Sequence, residues 1–97
     1  MPQQNQRRHP ADGHRRRLRE KFLAAGLSGF HDYEVLELLL SIATPRKDCK
    51  PAAKAALQHF GSLAAVFEAS PRQLCEIDGI GPKNLFGIKL IPAVCER

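Results

Sequence analysis

The residues with the clearest chemistry in this chain run Gly79-Ile80-Gly81-Pro82-Lys83-Asn84, between an apolar turn ending at Ile77 and the apolar run Leu85, Ile88, Leu90, Ile91. Two glycines around one apolar residue make a tight hairpin. The glycines tolerate φ > 0 and let backbone approach a ligand, while Ile80 plugs the joint. Pro82 suits the first position of a helix, where its missing N–H would otherwise be an unpaired donor. A helix opening there presents free N–H groups and the Lys83 ammonium to a phosphate, with the dipole adding about 0.3–1 kcal/mol. The phosphate-binding set read from this stretch is Gly79, Ile80, Gly81, Lys83 and Asn84. Asp78 is discordant, since a carboxylate repels phosphate unless it caps or turns away. The competing reading is a hairpin that only packs two helices or binds another protein. Backbone contacts of this kind carry no base information, so DNA binding would be sequence-independent. Tyr33 is the single tyrosine, there is no tryptophan, and Tyr33 falls in an expected core helix, so stacking on single-stranded bases has little support.

Basic residues extend the candidate surface. Arg46, Lys47 and Lys50 lie in a turn entering a helix, the same arrangement as the hairpin without its glycines. They are either a degenerate partner site on the same nucleic-acid backbone or a solvated loop. The net charge is +5, and all of the excess falls between Met1 and Lys21, where Arg7, Arg8, Arg15, Arg16, Arg17, Arg19 and Lys21 face only Asp12 and Glu20. Such an arm is a footprint of nucleic-acid contact, with Arg15, Arg16 and Arg19 as additional contacts, or else a solvated tail, in part an expression remnant.

Other reactive side chains point to no catalysis. Glu34 and Glu37 are spaced i,i+3 on one helix, a pattern that could serve acid–base or metal chemistry, but they read as a solvated edge. Cys49, Cys75 and Cys95 are odd in number and form no Cys-x-x-Cys pair, so they read as buried reduced thiols of a cytoplasmic protein. His9 and His14 have no third metal ligand in view. No nucleophile–base pair is found, and neither a metal nor a cofactor is expected. No apolar run approaches the ~18 residues of a membrane span.

The elements that must position the hairpin are helical throughout. Residues 1–11, polar and rich in Gln and Arg, read as a disordered basic arm, and residues 12–97 as one domain. Asp12-Gly13 caps a helix from His14 to Ala25, with Leu18, Phe22, Leu23 and Ala25 inward, arginines outward and Gly26 as the stop. Asp32 caps a helix from Tyr33 to Ala43 that is apolar nearly all round and therefore central. Asp48 caps a third helix to His59 or Phe60, with Pro51 in its first turn, Ala52, Ala53, Ala56, Leu57 and Phe60 inward, and Gly61 as its end. Ser62 opens a short helix, Leu63 to Glu68, and Ser70-Pro71 another that leads into the hairpin. The fold class expected is all-α, a bundle of five to six short helices containing a helix-hairpin-helix element.

The ordered set Gly13-His14-Arg15, Arg19-Glu20-Lys21-Phe22, Asp32 through Leu40, Pro45-Arg46-Lys47-Asp48, Phe60-Gly61-Ser62-Leu63 and Gly79-Ile80-Gly81 resembles the N-terminal domain of RadC family proteins, over residues 13 to 97. The resemblance implies helix-hairpin-helix character and an association with DNA repair. Members of that family normally continue into a JAB/MPN domain, a metallopeptidase-like fold with a His-x-His-Pro segment. This sequence has no His-x-His, so no metal ligand carries over, and the chain reads as truncated before a further domain. Two departures bear on the hairpin. Leu85 stands where such motifs usually carry a small residue that lets the helices close up, and Pro92 is expected to kink or end the last helix.

Two functions follow as expectations. The first is a non-catalytic, sequence-independent DNA-binding module of a repair-associated protein, with DNA as partner. The second is an interaction or scaffolding domain that positions a C-terminal metallopeptidase-like domain or binds another repair protein, which an exposed apolar patch around Leu90 and Val94 would favour. A third reading, a helix-hairpin-helix glycosylase fragment, fails because no aspartate follows Asp78.

Overall fold

The computed structural model describes residues 10–97. Six helices lie among them, with no strand: α1 (Pro10–Ala25), α2 (Asp32–Ala43), α3 (Lys50–Phe60), α4 (Leu63–Glu68), α5 (Pro71–Leu74) and α6 (Pro82–Glu96). The all-α expectation holds, and most boundaries fall where capping chemistry puts them. Gly26 (φ 73°) ends α1, donating its N–H to Phe22 O at 2.7 Å, and Gly61 (φ 97°) ends α3 through Leu57 O at 2.8 Å. Ser62 Oγ accepts from Ala65 N at 3.1 Å to open α4. At α5 the exchange is reciprocal: Ser70 Oγ takes Gln73 N at 3.1 Å, and Gln73 Oε1 takes Ser70 N at 2.9 Å. This is the capping box, which satisfies two otherwise unpaired donors.

Four local expectations are corrected. Helix α1 begins at Pro10 rather than His14, because proline fits the first turn of a helix. Asp12-Gly13 thus lies inside it, and of the arm expected over 1–11, residues 1–9 fall outside the described residues. The cap of α2 is His31 rather than Asp32, with Glu34 Oε1 accepting from His31 N at 2.9 Å. At α3, Asp48 Oδ1 accepts from Lys50 N at 3.1 Å, but Cys49 stands between them as the capping residue. Pro92 sits inside α6 without ending it. Its missing N–H removes only one rung of the ladder, and the turns on either side continue the helix.

Helix α2 is the centre of the bundle and packs on α1, α3 and α6. Leu36 and Leu40 are fully buried there, and each is worth roughly 1.5–3 kcal/mol of burial. Around them close Ala52, Ala53 and Ala56 of α3, Val66 of α4, Leu74, Ile77 and Ile80 around the hairpin, and Leu85 and Ile88 of α6. The three alanines let α3 approach closely, since a small side chain shortens the interhelical distance. The expectation that α2, apolar nearly all round, is central to the core holds. Its inward face also carries Glu37 and Ser41, while Ile42 is 76% exposed. Of the α1 residues expected to face inward, Leu18 is buried, while Phe22, Leu23 and Ala25 are exposed.

Candidate functional site

The hairpin is built by successive short backbone bonds. Ile77 N donates to Leu74 O at 3.1 Å, and Ile80 N to Ile77 O at 3.0 Å. The turn requires a glycine at one of its two glycine positions, not both. Gly79 has φ 95°, and a Cβ there would stand 2.9 Å from the Ala52 Cβ of α3. Gly81 is extended, with φ −142° and ψ −174°, and a Cβ on it would meet nothing within 4 Å. Ile80 is buried and plugs the joint as its position suggested. Leu85 is buried as well. It therefore fills the space beneath the hairpin instead of holding the helices apart, while Gly87 provides a close approach further along, its Cβ position 3.5 Å from Leu39 Cδ1.

Asn84 is not a free ligand. It is 96% buried, with Oδ1 accepting from Gly81 N and Nδ2 donating to Gly79 O, both at 2.9 Å. One side chain thus clamps both arms of the hairpin, in the role the Glu or Gln of a capping box plays elsewhere. This corrects the phosphate-binding set in three places. The Asn84 side chain is occupied, the Gly81 N–H is taken by Asn84, and the Ile80 N–H is taken by Ile77. The N–H groups of Gly79, Lys83 and Asn84 have no acceptor among the described residues, and the Lys83 side chain is exposed. Asp78 is exposed too.

These donors border an open groove of about 500 Å³ lined by Thr44, Lys47 and Gly79 through Asn84. The turn after α2 forms its opposite wall, so two stretches more than thirty residues apart in sequence meet there. The Lys47 Nζ stands 3.9 Å from the point a Gly79 Cβ would occupy. A second depression, of about 360 Å³, lies along Thr44–Lys47 and shares that wall. Arg46 and Lys47 are exposed. Lys50 is half-buried, with its ammonium 5.7 Å from the centre of the Tyr33 ring.

The wall is held from behind. Thr44 Oγ1 lies 2.8 Å from Leu40 O, which it donates to, and 3.1 Å from Cys49 Sγ. Arg15 reaches across from α1, donating one guanidinium nitrogen to Pro45 O and lying 3.9 Å from Cys49 Sγ with the other. Arg15 is thus 97% buried, and the expectation that it contacts DNA from the outer surface of α1 is overturned. The buried guanidinium is pinned to that carbonyl and withheld from solvent, and its role is to position the wall. Arg16 and Arg19 are exposed, and neither lines the groove.

The Glu34–Glu37 pair also differs from expectation. Glu37 is buried at 2% exposure, with Oε2 3.1 Å from His14 Nε2 and Oε1 without a partner among the described residues. The histidine that meets Glu37 comes from α1. Glu34 is half-buried, and its carboxyl is held below the usual 4.5 mainly by the N–H of His31, opposed by burial and aided by Lys21, whose Nζ lies 3.7 Å away. Only Cys49 is a buried thiol; Cys75 and Cys95 are exposed. Lys89, to which the sequence alone assigns no role, donates to Phe67 O at 3.0 Å and Ala69 O at 2.8 Å. It ties α6 to the C-terminal end of α4, where a cation is favoured. Its one signal in the sequence is a lysine inside an otherwise apolar run. Among the described residues no group of three or more His, Cys, Asp or Glu could hold a metal ion, and no helix is long and apolar enough to cross a membrane.

Fold and site together define a small all-helical domain whose glycine hairpin faces a basic turn. The model of the family described as UPF0758 N-terminal matches residues 13–86, and the chain belongs to that RadC-type family. A UPF0758 protein of Fusobacterium nucleatum subsp. nucleatum is 52% identical over 79 residues, covering 81% of this chain and 34% of its own length. UPF0758 proteins of Rhodobacter capsulatus and Ruegeria pomeroyi are 42% and 39% identical, over 82% and 87% of this chain and 37% and 38% of their own lengths. The chain therefore spans little more than a third of these relatives. No solved structure gave a significant match.

Proposed function

We propose that this domain is a non-catalytic module of a DNA repair-associated protein that holds the DNA backbone without regard to sequence. The observation that carries this reading is the meeting of two separate turns across one groove. Unpaired N–H groups of Gly79, Lys83 and Asn84 stand on one side and the Lys47 ammonium on the other. N–H groups at a helix start and a flanking ammonium are the chemistry that receives a phosphate oxygen. The lining offers no aromatic face and no free side-chain amide, so it has nothing with which to read a base. The test is titration of the chain with a mixed-sequence duplex across a salt series. Binding should weaken with salt and be indifferent to sequence, and Lys83→Glu should lose most of it. A salt-independent response, or Lys83→Glu and Gly81→Asp variants that bind as well as the parent, would overturn the assignment.

A second reading has its own observation. Phe86, Leu90, Ile91 and Val94 on α6 are all exposed, and three of them recur at four-residue intervals on one face. Leu39 lies against Gly87 while Thr44 and Lys83 line one groove, so α2 and α6 run antiparallel. Apolar surface of this kind marks an interaction site, and the relatives' greater length supplies a candidate occupant in a further domain of the longer protein. Phe86→Ser with Leu90→Ser should leave the isolated domain folded and weaken its docking to that further domain. Unchanged docking would count against this role.

A further inference from the structure

Helix α3 breaks a rule of helix design on its exposed side. Lys50 and Lys54 stand at i,i+4, where like charges repel, and the whole segment Lys50–Phe60 contains no carboxylate to relieve them. Both ammoniums converge on one ring: Lys54 Nζ is 4.7 Å and Lys50 Nζ 5.7 Å from the centre of Tyr33. The imidazole of His31 lies parallel to that ring at 5.8 Å. An aromatic face holds cations through its quadrupole without neutralising them, so the pair is fixed in place and keeps its charge. A local conflict that is held together in this way is the sort expected at a functional surface.

The patch has a definite relation to the groove. Ala52 of α3 packs against Gly79, whereas Lys50 and Lys54 project from the far flank of the same helix, toward Tyr33. The exposed surface between the two flanks is Pro51 and Ala55, which is uncharged and free of bulky side chains. The distance across is about one helix diameter, ~10–12 Å, short enough for one strand to touch both flanks.

We infer that Lys50, Lys54 and the Tyr33 ring that holds them form a second phosphate-binding station, which takes the same DNA strand beyond the hairpin groove. This inference rests on the DNA-binding reading of the groove. It adds the path of the strand, over the first turns of α3, and it makes Tyr33 a positioning residue for two cations, not a base-stacking platform.

The test is the slope of log affinity against log salt for the full chain and a mixed-sequence duplex, comparing the parent with a Lys50→Gln/Lys54→Gln double variant, a Tyr33→Leu variant and a charge control, Arg97→Gln. Each phosphate that the protein no longer neutralises lowers the slope by about 0.9. The double variant should therefore fall short of the parent slope by at least about 0.9. Tyr33→Leu should lower affinity with a smaller change in slope, and Arg97→Gln should change neither. Circular dichroism of each variant checks that the helices persist. If the parent binds with a salt-dependent slope that the double variant retains, the second station is wrong and the groove stands. If the parent does not bind, both fall.

Discussion

The two hairpin glycines should respond very differently to the same substitution. Gly79→Ala puts a Cβ on a residue at φ 95° and 2.9 Å from the Ala52 Cβ. A non-glycine residue held at positive φ costs of order 1–3 kcal/mol, and forcing a methyl into a packed helix contact typically costs a further 1–3 kcal/mol or so. The neighbour is the stem of a buried helix and cannot swing aside as a flexible side chain would, so the two terms combine to about 2–6 kcal/mol. Since a shift of 1 kcal/mol moves Tm by about 4–8 °C in a domain of this size, Gly79→Ala should melt at least ~8 °C below the parent. Gly81→Ala, at an extended backbone with open space around its Cβ, should stay within about 0.5 kcal/mol, the range of a surface change. Urea unfolding and thermal melts of the two variants and the parent measure this. Equal destabilisation by both, or a Gly79→Ala variant as stable as the parent, would refute the geometry of the hairpin.

Three further outcomes follow from individual interactions. Asn84→Ala leaves the Gly81 N–H and the Gly79 carbonyl without their partner, so urea unfolding should show a loss of about 1–3 kcal/mol and the Gly81 amide should exchange faster with solvent. Arg15→Met removes the donor to Pro45 O; a bond to a charged donor is worth about 1.5–3 kcal/mol, and the variant should also bind DNA more weakly although Arg15 is buried. Glu34 has a depressed carboxyl pKa, so its contribution is fully present above its unfolded value of about 4.3 and is lost as pH falls through the lower folded value. The stability difference between the parent and Glu34→Gln should therefore be clear near neutral pH and shrink in acid; a pH-independent difference would contradict the His31 and Lys21 interactions.

Local features of this fold are legible in the sequence and cross-chain ones are not, for a physical reason. Gly61, Ser62 and Ser70 act within a turn of their own position, so residue type alone announces the ends of α3, α4 and α5. The hairpin is legible because Gly79, Ile80 and Pro82 impose it locally. Arg15 and Glu37 mislead because their partners, Pro45 and His14, are remote in sequence, and a charged residue on an amphipathic pattern looks solvated until such a partner is found. Asn84 misleads at shorter range: its spacing from Gly81 is that of a capping box, yet a phosphate and a backbone N–H make the same demand of nearby polar groups. The Lys47–Gly79 meeting is invisible to periodicity, since it depends on how α2 and α3 turn the chain back on itself.

The most direct measurement of the central claim is a backbone amide NMR titration of the chain with a short mixed-sequence duplex. The account predicts that the Gly79, Lys83 and Asn84 amides, together with those of Arg46 and Lys47, shift first and furthest, and that added salt reverses the shifts. Shifts confined to the exposed face of α6, or to Arg16 and Arg19 on α1, with the hairpin amides unmoved, would contradict it.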